Sequence, residues 1–148
     1  MIDEFYHKDL FGKVIDVNLQ EAEADEALPL DKKGNEFNIF TLTDAFGRRA
    51  KKEAWVLYQQ ALLAGVSAEE IFFKLFWQAK SMLLASRTQS AIEADMKSFP
   101  YSKAKSFLKN FKLGELEKLS ENLIVGYHKA RRGEGEVETL VEKILLSL

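Results

Sequence analysis

At 148 residues the chain suits one domain, or one domain with a short appendage, and its 47% hydrophobic and 30% charged residues are those of a globular protein with a real core. A net charge of −2 gives no global attraction to nucleic acid or to an anionic membrane. The absence of cysteine excludes disulfides, thiolate metal sites and cysteine nucleophiles.

Residues 1–10 contain no basic segment followed by an apolar one, so they do not read as a signal peptide. No apolar run approaches the roughly 20 residues that span a bilayer. No membrane association and a cytoplasmic location are the expectation.

Residues 1–37 differ in character from the rest. Ile2, Phe5, Tyr6 and Leu10 are spaced for one short helix, and Val14, Ile15 and Val17 form a β-branched, extended run. An acidic stretch from Glu21 to Glu26 and turn signals at Pro29 and Gly34 follow. This part reads as an irregular N-terminal appendage or linker.

From Asn38 the pattern is helical. Asn38 is placed to cap a helix through Phe46 that Gly47 ends, and a second helix runs from about Ala50 to Ala64 with Gly65 as its stop. Ala54, Leu57, Tyr58, Ala61 and Leu62 share one of its faces. The short turn after it predicts an antiparallel pair with the next helix.

That next helix, residues 67–86, is the one around which the chain is organised. Ser67 and Glu70 have the S-x-x-E spacing of a capping box. Ile71, Phe72, Leu75, Phe76, Ala79, Met82 and Leu83 recur at the helical period, and Phe73, Trp77 and Leu84 widen the apolar surface beyond one stripe. A helix apolar around so much of its girth must be covered on more than one side. Two readings of the surplus at Phe73, Trp77 and Leu84 stand: a wholly internal core helix, or a subunit interface, whose cores favour aromatics.

Residues 87–98 are polar, with room for a short helix after Ser90. Pro100 suits the first turn of a further helix carrying Tyr101, Ala104, Leu108 and Phe111 on one face. Leu116, Leu119, Leu123, Ile124 and Tyr127 mark another, broken at Arg132-Gly133-Glu134-Gly135. Val137, Leu140, Val141, Ile144, Leu145 and Leu148 give the last helix a regular apolar side. The fold class is all-α: residues 38–148 form a compact bundle of about six helices.

Catalytic and metal chemistry find no support. His7 and His128 have no partner at metal-ligand spacing, and no P-loop pattern occurs. The glycines of Gly133-Glu134-Gly135 lie between helices rather than after a strand. Asp44, Glu53, Glu69 and Glu70 stand near helix starts, where the dipole alone explains an acid. No catalytic, cofactor-binding or metal residue is assigned.

Three basic clusters remain, at Arg48–Lys52, at Lys103, Lys105, Lys109 and Lys112, and at Lys129–Arg132. Lys103, Lys105 and Lys109 lie among Phe99, Tyr101, Phe107 and Phe111, a pattern that can contact phosphates and stack on bases. The aromatic spacing is equally that of a core face with lysines coating its outside, and the overall acidity favours this second reading.

Taken in order, these stretches resemble the C-terminal domain of the delta subunit of the bacterial DNA polymerase III clamp loader. Asn38-Ile39-Phe40-Thr41-Leu42-Thr43-Asp44-Ala45 through Trp55 is similar to the family's opening N-I-F-x-L-x-D-A-x-x-x-R-x-x-K-A. Phe76-Trp77-Gln78-Ala79 stands where the family has an aromatic-rich R-Q-F-R region, and Phe99-Pro100-Tyr101-Ser102-Lys103-Ala104 resembles H-P-F-x-x-K-K.

The resemblance implies a non-catalytic DNA replication subunit whose helical domain joins a collar with gamma/tau-type and delta-prime-type subunits, supporting the loading of the sliding clamp. DNA contact would be indirect. The family's AAA+-like domain, the part that opens the clamp, has no counterpart in this sequence, and residues 1–37 hold at most a remnant of its lid domain. A stand-alone helical nucleic-acid-binding or adaptor module is the alternative.

Overall fold

A computed structural model of the chain describes residues 36–148. The sequence-predicted N-terminal helix and extended run, with His7, lie outside the described residues. Among the described residues there are seven α-helices and no strand: α1 Ile39–Gly47, α2 Lys51–Leu63, α3 Ala68–Ser86, α4 Ala91–Ala94, α5 Ser98–Phe107, α6 Glu115–Arg131 and α7 Val137–Leu146. A 3-10 turn, Leu108–Asn110, follows α5.

Side-chain caps start three of these helices. Asn38 Oδ1 accepts from the Phe40 N–H at 2.9 Å, Ser67 Oγ from Glu70 at 3.1 Å, and Ser90 Oγ from Glu93 at 3.2 Å. Glu93 also reaches back to accept from the Gln89 N–H at 2.8 Å, which holds the four-residue α4 in place.

The helix ends repeat one device. After α2, Gly65 takes φ 95°, its N–H donates to the Leu62 carbonyl, and that of Val66 donates to Ala61. This is the paired bonding of a Schellman motif. Gly133 serves α6 in the same way.

The end of α1 departs from expectation. The left-handed position there is Arg49, at φ 59°, with Arg49 donating to Phe46 and Ala50 to Ala45. Gly47 is instead the last helical residue, and what it lacks is room: a Cβ there would lie 2.4 Å from Phe107 Cδ2. Arg49 is held in its uncommon conformation by Glu115 at 2.7 Å, by the Asn110 carbonyl at 3.3 Å and by the Phe111 ring at 4.8 Å. Glu115 accepts from the Lys112 N–H as well as from Arg49, and both bonds hold its carboxyl below the usual range.

Helix α3 is the axis of the bundle and packs against α1, α4, α5, α6 and α7. Its buried face is Ile71, Phe72, Leu75, Ala79, Met82 and Ala85, with the polar Lys74, Gln78 and Ser81 buried among them. Gln78 Nε2 donates to the Thr43 carbonyl of α1 at 2.9 Å, so this buried amide ties two helices instead of costing stability. Phe76 and Leu83, expected on the buried face, are only half-buried. The α2 helix does not pair with α3 as expected: its main neighbours are α1 and α7. The face predicted to run through Leu108 and Phe111 stops at Phe107, because the chain tightens into the 3-10 turn there.

Tyr58 of α2 is fully buried, and its hydroxyl finds no hydrogen-bond partner among the described residues. Tyr58→Phe is therefore expected to leave stability unchanged or to raise it by up to about 1–3 kcal/mol, read by urea denaturation. Burial, with Glu142 and Glu138 nearby, pushes the phenol up to about 12. A raised folded-state pKa contributes stability that is complete below the unfolded value, near 10 for tyrosine, and that is lost as pH rises through about 12. The Phe variant should show a shallower alkaline decline over that window.

Candidate subunit interface

The surplus apolar residues of α3 form a second face. At about 100° per residue, Phe73, Trp77, Lys80 and Leu84 fall within about 60° of one another, opposite the centre of the buried face. All four are half-buried. The helix is thus apolar on two sides: one is sealed by α1, α5 and α7, and the other is partly open.

Helix α6 runs antiparallel along one edge of this open stripe. Phe73 packs on the Tyr127 ring at 5.3 Å, and the Tyr127 hydroxyl donates to Glu69 at 3.3 Å. At the other end Arg87 pairs with Glu117 at 3.3 Å. Between these anchors α6 exposes Ile124 and Val125.

The sequence-predicted lysines have work inside the molecule. Lys103 Nζ bonds Asp44 of α1 at 3.1 Å and lies 5.1 Å from the Phe99 ring. Lys105 Nζ donates to the carbonyls of Ala85 and Thr88, each at 2.8 Å, and so sits at the negative end of α3. A phosphate contact by either would compete with these bonds. Lys109 is exposed, in the 3-10 turn that follows α5. Lys103 and Lys105 are thus engaged within the bundle, and Lys109 is left exposed.

The other basic clusters also pair locally. Arg48 binds Glu53 through two bonds of 3.0 and 3.1 Å, and Arg132 binds Glu134 through two of 3.1 and 3.2 Å. Each pair raises the arginine pKa and lowers that of its glutamate. His128 lies in the last turn of α6. No group of three or more His, Cys, Asp or Glu side chains able to hold a metal occurs among the described residues.

The residue that sequence reasoning missed is Lys80. The signal was present: it stands three residues after Trp77 and four before Leu84, on the same stripe.

The family model of the DNA polymerase III delta subunit, C-terminal domain, matches residues 36–148, the whole of the described bundle. The chain belongs to this family. Neither a search of curated proteins nor one of solved structures returned a match. Membership places the delta C-terminal domain described here in a DNA polymerase III clamp-loader-related role in DNA replication. No helix among the described residues is long and apolar enough to cross a membrane.

Proposed function

We propose that this delta C-terminal domain is a non-catalytic collar element: it assembles with gamma/tau-type and delta-prime-type subunits and so supports loading of the sliding clamp on DNA. The observation that carries the reading is the half-buried stripe of Phe73, Trp77 and Leu84 on the outer side of α3. Interface cores favour large aromatics, and the stripe stays partly open, with only its Phe73 end packed on Tyr127 of α6, while the opposite face fills the core. Residues 1–37 are an appendage to this element. Its setting is the cytoplasm, it needs no cofactor, and its contact with DNA is indirect.

The test is to mix the full chain with collar domains of a cognate motor subunit and of delta-prime, and to measure mass by light scattering after size exclusion. A stable hetero-assembly at moderate salt is expected. Trp77→Ala should weaken it by about 2 kcal/mol or more, the scale of an interface anchor, while leaving most of the fold's stability intact. A chain that stays monomeric with both partners would overturn the proposal. Nucleic-acid binding by Lys103, Lys105 and Lys109 would instead show as duplex binding that falls steeply with salt.

A further inference from the structure

We infer that the outer stripe of α3 docks on a partner-subunit surface that is apolar and brings one carboxylate to Lys80. The inference rests on the collar reading and adds the chemistry of the partner. Lys80 occupies the middle of the stripe, and its helical neighbours are Phe76, Trp77, Leu83 and Leu84, all apolar. No acid lies at the positions from which a helix ordinarily pairs a lysine.

The ammonium of Lys80 makes no hydrogen bond or ion pair among the described residues. Burial alone acts on it, lowering its pKa. Lys103, half-buried like Lys80, is served by Asp44, and even the exposed Lys105 is served by two carbonyls. The acids at the ends of the stripe are engaged, Glu117 with Arg87 and Glu69 with Tyr127.

A wholly apolar partner would strip the remaining water from this cation and oppose its own binding. A partner that offers a carboxylate turns the same desolvation into attraction and fixes the register of the two surfaces. Charge complementarity thus selects an acidic-apolar face of another clamp-loader subunit. A second copy of this chain would meet Lys80 with the same lysine-bearing stripe.

The experiment uses the full chain with the collar domains of the cognate motor subunit and delta-prime, and compares wild type, Lys80→Met, Lys80→Glu and Trp77→Ala. Lys80→Met keeps the apolar stem and removes the charge. It should melt no lower than wild type, yet assemble at least about tenfold more weakly, with Lys80→Glu weaker still. The salt dependence of assembly should be smaller in the Met variant.

If Lys80→Met binds as tightly as wild type while Trp77→Ala does not, the stripe docks on a purely apolar surface; the inference falls and the collar reading stands. If the wild-type chain assembles with neither subunit, both fall. Self-association that Lys80→Met strengthens, or loss of duplex-DNA binding without loss of subunit binding, would also overturn it.

Discussion

Truncating Phe72 to alanine is expected to remove about 3–5 kcal/mol of stability, the cost of deleting a buried aromatic and leaving a cavity. Phe72 is almost wholly buried, and its ring stacks on Tyr127 of α6 at 4.9 Å and meets Phe73 edge-on at 5.2 Å. Such pairs add about 0.5–1.5 kcal/mol beyond burial. Against a typical total of about 5–15 kcal/mol, the variant would be marginal. Urea denaturation should show a large fall in midpoint with little change in slope. The comparison with Trp77→Ala is informative, because the two residues lie on different sides of one helix. Phe72 should affect folding, and Trp77 assembly. A Trp77→Ala chain as unstable as Phe72→Ala would mean that the outer stripe is core after all.

Gly47→Ala is expected to destabilise by about 1–3 kcal/mol, although alanine is by nature the better helix former by about 1 kcal/mol. The new Cβ would lie 2.4 Å from Cδ2 of Phe107 and 2.7 Å from its Cγ and Cε2. Three atoms of one rigid, buried ring cannot all move aside without displacing α5. The Gly47 carbonyl also accepts from Asn110 Nδ2 at 3.0 Å, which ties the end of α1 to the turn after α5. Adding Phe107→Leu to the Gly47→Ala chain should recover part of the loss, so that the two changes are strongly non-additive in thermal melts. Additive losses would show that the close approach is not what glycine serves here.

Much of the bundle was legible in the chain. Asn38, Ser67 and Ser90 announced three helix starts, because a cap is a local bond within a few residues. Gly65 announced an end, because left-handed backbone favours glycine. Gly47 looked like the same signal and was not. Its role depends on Phe107 of α5, distant in the chain, and no local pattern carries that. Arg49 took the left-handed position because Glu115, Asn110 and Phe111 hold it there, and these too are distant in sequence.

The candidate interface was half legible. That Phe73, Trp77 and Leu84 widened the apolar surface of α3 followed from their spacing. Which side the core would claim did not follow, since periodicity gives the angles between faces and not which neighbours arrive. Lys103 and Lys105 show the same limit: as a sequence they fitted a phosphate-binding row or, better, lysines coating a core face, and only packing showed them turned toward Asp44 and the end of α3.

Composition and the bonds between near neighbours were enough for the all-α class, for most helix boundaries and for the exclusion of cysteine chemistry. They could not say which face of α3 is sealed, which cations are already paired, or that Lys80 has no partner among the described residues. Those outcomes arise from contacts between residues far apart in the chain, where burial and pairing are set by what the fold brings together.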